Sequence, residues 1–516
     1  MRRVVGPVCL VALAVSAGCG GIRTGEKGAC AGAPIPSRAG PITAAPLAPS
    51  FGRPLRYAID RGSNEGSPGE GRAVAVHDLN GDGRLDLVTA NWDANDVSVL
   101  LNRGKGTFEQ RRDYGTGRGP NEVAVGDLNC DGAPDIVTTA GSSDQMITLP
   151  SGDVSSKTYD YVSVLLNRGD GTFDEKRDFP TGETPSAVAI ADLDQDGYRD
   201  LAVGRSGGVS VLLNDHKGAF TKRTDYSTGG SPSPMSVSAA DVNGDRRLDL
   251  EVASSDGEIV SILLNRGDGH FSRGAHYLLG VGSAWLAAGD LNADGAVDLA
   301  LVREDQSDEL EDEGVTLEPA YVSTLTGRGD GDFVATRPFF QTGGYAEGVG
   351  APTIVDLTGD GTPDLLVPRW DEDFGIVSLF SNDRSGELRD EGRIDYLVDG
   401  DAIAVGDLDG DGRPDLVTAN FGSHKLSVFL NRPGRCTVQD VSGSTQHVVG
   451  RLSHGLTAEG AARALARGNC RVGTIRYAYS KFGDPKGRVI GQKPTFGSVL
   501  SGGAKVDLVV SLGPKR

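Results

Sequence analysis

What the chain is short of narrows it first. Aromatic residues are scarce, with 3 Trp, 12 Tyr and 15 Phe in 516 residues, and runs of helix-favouring residues are short, which points to β structure. Basic residues are in deficit: 51 Lys and Arg stand against 71 Asp and Glu, a formal charge of −20. That balance excludes a nucleic-acid binder, which needs clustered cations to neutralise phosphates. The 7 histidines are scattered, with no HExxH pair and no nucleophile elbow. Nothing pairs the abundant Ser and Asp into a triad, so no catalytic residues emerge and the chain reads as non-enzymatic. Past the N-terminus, no stretch is long and apolar enough to cross a bilayer.

What is abundant is glycine, at 75 residues about twice the usual share, without a collagen period. Many turns are implied. A chain of this length exceeds one ordinary core, so several domains or a repeat architecture are expected. The opening "MRRVVGPVCLVALAVSAGC" has two arginines, an apolar run and small residues before Cys19, the pattern of a signal peptide over residues 1–19. Its "SAGC" ending resembles a bacterial lipobox, although Ser16 stands where Leu is usual; the resemblance implies lipidation at Cys19 and a membrane contact through that anchor alone. Residues 20–50, rich in Ala, Gly and Pro, read as a flexible linker.

From there the chain repeats itself. A nine-residue acidic pattern starts at Asp78, Asp127, Asp192, Asp241, Asp290, Asp356 and Asp407, with gaps of 49, 65, 49, 49, 66 and 51 residues. The unit is therefore about 49 residues, with two insertions of about 16. Each unit runs from an apolar stretch such as "AVAVHD" through the acidic loop into "LDLVTAN", "VSVLLN", a glycine turn and "TFEQRRDY". Four short strands joined by turns make a propeller blade, and seven units make seven blades over residues 51–431. The seventh unit ends at Asn431 without its fourth strand, while "FGRPLRYAI" from Phe51 has that strand's sequence. The N-terminal strand is thus expected to complete the last blade and remove an open sheet edge.

The acidic loop carries a metal-ligand spacing. In the first copy Asp78, Asn80 and Asp82 offer oxygens at positions 1, 3 and 5. Gly83 permits a positive-φ turn that aims the Arg84 carbonyl inward, and Asp86 closes the site. The same five positions are Asp127, Asn129, Asp131, Ala133 and Asp135 in the second copy, and Asp192, Asp194, Asp196, Tyr198 and Asp200 in the third. They are Asp241, Asn243, Asp245, Arg247 and Asp249 in the fourth, and Asp290, Asn292, Asp294, Ala296 and Asp298 in the fifth. The sixth has Asp356, Thr358, Asp360, Thr362 and Asp364; the seventh has Asp407, Asp409, Asp411, Arg413 and Asp415. Hard oxygen donors at this spacing suit Ca²⁺, up to seven ions in all. An EF-hand is excluded, since position 12 is Thr89 and the flanks are strands. Seven divalent ions would bring the formal charge from −20 to about −6, offsetting carboxylate repulsion within each hairpin. The third and seventh copies, with four aspartates each, are expected to bind best; the fourth, with Arg246 in place of the glycine, and the sixth, with a neutral Thr358, depart from the pattern. A structural role for the metal is favoured over calcium sensing.

"LLNRGDGTF" followed by "VAIADLDQDGYRDLAV" resembles the FG-GAP/VCBS repeats of integrin-α-like propellers. The resemblance implies a seven-bladed, calcium-braced propeller of the kind used for extracellular binding, and names no ligand. RGD triplets at Arg168–Asp170, Arg266–Asp268 and Arg328–Asp330 fall in the repeated glycine turn and are by-products of it. Both insertions, Gly141 to Tyr161 and Glu304 to Ala320, follow the second strand and so project, as irregular loops, from the face opposite the acidic loops. Trp92, Trp370 and Phe421 occupy matching positions on blades that become neighbours on ring closure. Two readings stay open for them: a ligand patch for sugar or peptide, or packing between blades.

After Pro433 the composition changes. "LTAEGAARALARGNC" has a helical pattern capped by Thr457, and three strand-like stretches follow, the order of a small α+β module built from a helix and β-hairpins. "GNCRVG", "GRVIGQKPTFG" and "KVDLVVSLGPK" resemble a PASTA domain over residues 436–516, which implies a peptidoglycan-associating or spacing role. In an exported chain Cys436 and Cys470 are expected to pair as a disulfide, while Cys30 and Cys130 have no assigned role. The sequence thus reads as an exported bacterial surface protein, an all-β calcium-stabilised propeller followed by a PASTA-like module. A lyase-like propeller enzyme and a purely structural assembly protein are the alternatives.

Overall fold

The computed structural model describes residues 51, 54–59, 71–148, 154–229, 234–254, 259–278, 284–304, 318–346, 348–358, 361–370, 375–382, 388–397, 400–420, 425–431, 436–437, 471–480, 489–493, 499–500 and 505–514. Two compact units are distinguished, one made of Arg53–Val355 with Thr362–Phe429 and one containing Leu430–Arg516.

Seven antiparallel sheets, one per repeat, fill the larger unit. In blade one the strands are Gly71–His77, Asp86–Asn91, Asp96–Leu100 and Arg112–Gly115, paired in chain order. The second strand is buried at all six positions, because each blade lies between two others and both of its faces are covered. The fourth strand is polar and mostly exposed, as its "RDYG" predicts. Apolar clusters accordingly lie between blades. One joins Val211 and Ala189 of blade three to Val252 and Phe271 of blade four, and the next joins Ala253 and Ile262 of blade four to Leu286 and Leu299 of blade five.

At five of the seven junctions, among the described residues, a blade also grips its neighbour through an aromatic edge. Tyr114 meets Phe173 with ring centroids 5.2 Å apart, and Phe179–Phe220, Tyr226–Phe271 and Tyr277–Phe333 repeat the contact. Glycine in the turn ahead of that Phe is favoured by its backbone, with φ of +72° at Gly171, and a Cβ there would also crowd the Leu101 side chain of the preceding blade.

Ring closure follows the sequence expectation. Leu55–Ala58 pairs antiparallel with Lys425–Phe429 as the outer strand of blade seven, with Leu55 opposite Val428. Tyr57 of that strand then makes the same edge contact with Phe108 of blade one, at 5.3 Å.

The first insertion is not an irregular loop. The second and third strands of blade two simply continue, Asp135–Thr148 against Val154–Leu165, as a ladder with one irregularity at Tyr159/Tyr161. Its "SSDQMIT" and "VSSKTYDY" hold no proline, so nothing stops the pairing from extending. Of the acidic insertion, Glu304 ends one strand and Glu318 begins the next; residues 305–317 lie outside the described residues.

In the second unit Lys505–Pro514 is the central strand, parallel to Arg471–Ser480 and antiparallel to Val489–Lys493. The expected succession of hairpins is corrected by this order: a parallel pair needs a crossover, which the intervening strands supply. The helix expected after Thr457 and the partner Cys470 lie outside the described residues.

Candidate metal centres

Each acidic loop is first of all a hydrogen-bonded backbone cradle. In loop one the Asp78 carboxylate accepts the amides of Asp82 (3.1 Å) and Gly83 (2.7 Å), Asn80 accepts that of Asp82 (3.0 Å), and Asp82 accepts that of Arg84 (2.9 Å). The pattern recurs in the other loops, for example at Asp127, Asn129 and Asp131, and at Asp407, Asp409 and Asp411. Bending the chain so tightly takes two left-handed residues, where sequence reasoning foresaw one. Position 6 has φ of +80° at Gly83 and +88° at Gly197, and position 4 is also positive, at Gly81 (+72°), Cys130 (+57°), Gln195 (+62°) and Ala293 (+59°). The mixed residues at position 4 hid the requirement. Arg246 resolves the doubt about loop four: it adopts the turn itself, at φ +68°. Cys130 is disulfide-bonded.

The final aspartate does more than close the site. Asp86 is fully buried, and its two oxygens accept the amides of Leu79 (2.9 Å) and Asn102 (2.6 Å), tying the loop to the end of the third strand. Asp135, Asp200, Asp249 and Asp298 make the same double bond. Burial is the main force on these carboxyls: it pushes Asp86 up to about 6 and Asp135, Asp200 and Asp249 up to about 7, against the opposing pull of the two amides. Burial also raises Asp298, and burial with neighbouring carboxylates raises Asp192 and Asp194.

Positions 1, 3 and 9 come together. Ligand oxygens of Asp192, Asp194 and Asp200, and likewise of Asp407, Asp409 and Asp415, lie within 4.8 Å of one another, in the two loops expected to bind best. One buried oxygen of Asp192 has no hydrogen-bond partner among the described residues. Position 5 is not part of these groups. Asp82 is paired with Arg84, Asp245 with Arg247 (2.7 Å), Asp411 with Arg413 (3.1 Å) and Asp196 with His216 (2.7 Å), whose ring stacks on Tyr198 at 4.1 Å. Asn129 and Asn292 donate to Asp131 and Asp294 in the two loops with alanine at position 7, Ala133 and Ala296. In loop six Asp356 accepts the Gly361 amide (2.8 Å), Thr362 is buried with its hydroxyl on the Asn382 carbonyl (3.3 Å), and Asp364 accepts the Asn382 amide; Asp360 lies outside the described residues. A crowded, oxygen-only donor set with raised carboxyls and an unpartnered buried oxygen fits a hard divalent cation. Positions 1, 3 and 9 would hold it, with position 5 released from its basic partner.

A functional residue that sequence reasoning passed over is the asparagine ending "VSVLLN". Asn102 donates to the carbonyls of Leu85 in its own loop and Leu408 in the loop of the preceding blade, at 2.8 and 2.9 Å. Asn167 reaches Leu79, Asn214 reaches Leu128, Asn265 reaches Leu193, Asn382 reaches Leu291 and Asn431 reaches Leu357 in the same way. Six of the seven acidic loops are therefore clasped from the next blade, loop four being the exception. The recurring Asn was the available signal.

Trp92 lies under the guanidinium of Arg72, 5.0 Å from its ring centroid, and a Cβ on Gly119 of blade two would come within 3.2 Å of the indole. The Trp92 ring thus lies between blades one and two. The Trp370 backbone pairs with Gly348 and Gly375; its side chain and Phe421 lie outside the described residues. Arg168 of the first RGD triplet is engaged by Asp174 (2.7 Å), and Asp170 caps Thr172, so the triplet is serving its turn.

The family described as FG-GAP-like repeat matches residues 78–138, 152–203, 192–252 and 243–301, and the FG-GAP repeat matches 400–429. The PASTA domain matches 449–512. Among solved structures the chain is similar to an Agrocybe aegerita lectin in a structure concerned with recognition of non-reducing terminal N-acetylglucosamine (18% identity, 63% of this chain and 80% of that one, TM-score 0.41). It is also similar to BBS1N in complex with ARL6DN (15% identity, 73% and 97%, TM-score 0.46). With its repeats closed into a ring of seven sheets, the chain is an FG-GAP-repeat β-propeller followed by a PASTA domain.

Proposed function

We propose that this is an exported, non-catalytic bacterial surface protein whose propeller, braced by calcium in its acidic loops, presents a ligand face while the PASTA domain associates with peptidoglycan or spaces the propeller from it. The observation that carries the reading is the union, in one chain, of FG-GAP-like repeats and a PASTA domain. The signal-peptide pattern ending at Cys19 supports export, and the grouping of Asp192, Asp194 and Asp200 supports the cation. Calcium works here as a brace, since the loops it would occupy are the ones clasped between blades.

Sedimentation of the mature full chain with purified peptidoglycan sacculi, in millimolar calcium and in chelator, tests this. Retention on sacculi in calcium supports the wall-associated reading. Retention lost in chelator assigns the binding to the propeller, and retention unchanged by chelator assigns it to the PASTA domain. A chain that stays in the supernatant under both conditions overturns wall association.

A further inference from the structure

Six of the seven blade junctions carry the asparagine clasp. The seventh, between blades four and five, has Gly327 at that position, and the backbone has closed into the space: a Cβ there would meet the Val297 carbonyl at 2.1 Å. At the same junction the carbonyl of Val242, the counterpart of the clasped leucines, receives the Gly331 amide at 3.0 Å and no side-chain donor among the described residues. The tie within loop four is longer too, 3.3 Å from the Val242 amide to Asp249 against 2.9 Å in loops one, two, three and five. Arg246, the non-glycine at position 6, belongs to this loop.

A fourth departure points the same way. Glu251 is completely buried in the second strand of blade four, where Val88, Val137 and Val417 stand in blades one, two and seven. Its strand neighbours in register are Ser238 and Ile262, and the latter belongs to the apolar layer shared with Leu286 and Leu299 of blade five. Neither carboxyl oxygen makes a hydrogen bond of normal geometry among the described residues, and the pull of the nearby Ser238 hydroxyl is outweighed by burial, which raises this carboxyl well above its ordinary range. A buried polar group left unpaired lowers the cost of any opening that wets it.

From these features we infer that the ring has a built-in opening seam between blades four and five, and that the propeller parts there before it parts at the four-residue closing strand. A closed ring yields at its weakest junction, and this one lacks the clasp while holding an unpaired carboxyl in its apolar layer. Among the described residues, what remains is the apolar layer itself, the Gly331 amide on the Val242 carbonyl, the Tyr277–Phe333 contact with the Tyr277 hydroxyl accepting the Phe333 amide at 2.8 Å, and the bond from Ser236 to the Leu286 carbonyl.

Hydrogen–deuterium exchange on the full chain in millimolar calcium tests the seam. Peptides covering 234–254 and 284–301 are expected to exchange about tenfold faster than the matching peptides of blades two and three. Glu251→Val should slow that seam alone by about tenfold or more, and Asn265→Gly should create a second fast seam between blades three and four. If Asn265→Gly does not fold, Asn265→Asp, which keeps the acceptor and removes the donor, takes its place. Exchange that is even around the ring, fastest at residues 55–58 and 425–429, or unchanged by Glu251→Val overturns the inference.

Discussion

Loops three and four begin 49 residues apart on one plan and end in different chemistry. Loop three has aspartate at all four side-chain positions, and three of them converge within 4.8 Å. Loop four has Asn243 among its ligands and Arg246 in a left-handed turn, yet its cradle of amide bonds to Asp241 is intact. The cradle therefore does not depend on glycine at position 6 or on a full complement of carboxylates. Both loops share the buried final aspartate, which ties the loop to the end of the third strand. A cation would be laid over a loop that already has its shape, which separates two roles that the pattern in the sequence runs together.

The separation can be broken most forcefully by removing the cation from every loop at once. Scanning calorimetry of the full chain in chelator should show a melting temperature lower than in millimolar calcium by on the order of ten degrees or more, because several sites bind the folded state alone. An equal melting temperature in both would leave calcium no structural part. Next in size are the final aspartates, whose loss strands two buried amides. Asp200→Ala should cost about 2–4 kcal/mol in urea unfolding even in chelator, and Asp249→Ala less, in line with its longer bond of 3.3 Å. If both losses vanish in chelator, the final aspartate serves only the metal.

Acidity sharpens the same comparison. Burial pushes the final carboxyls Asp86, Asp135, Asp200 and Asp249 up to about 6 to 7 in the folded chain, against 3.8 unfolded, so between about pH 4 and 7 the folded chain binds more protons. Their contribution is complete below pH 4 and is lost as pH rises through 7. The melting temperature in chelator should then rise as pH is lowered from 8 to 5, while the increment from calcium shrinks, because protons compete for the same oxygens. An increment from calcium that is flat across this range argues against these carboxyls as ligands. The smallest effect expected is from Arg246→Gly, which relieves a left-handed arginine and should add about 1 kcal/mol in chelator, measurable as a shift in urea midpoint.

Much of the molecule was legible because the chain states it seven times. Strand order, the acidic spacing and the closing strand at Leu55–Ala58 all followed from period and position. The asparagine clasp did not, for a physical reason. Asn167 binds a main-chain carbonyl 88 residues earlier, and any residue can supply a carbonyl, so the partner leaves no mark in the sequence. The second left-handed position was hidden likewise, since Gln195, Ala293 and Cys130 accept a conformation their side chains do not advertise. The first insertion misled in the opposite way: extra length after the second strand suggested an irregular loop where continued pairing carries a hairpin outward.

The closing strand has a consequence for how such a chain comes to be. Leu55 must wait for Val428, about 370 residues later, before its backbone finds a partner. On the ribosome, the first blade therefore emerges well before the ring it belongs to can be completed. Truncation anywhere ahead of the last repeat would leave the earliest strand unmatched, and a propeller of this design has no finished intermediate.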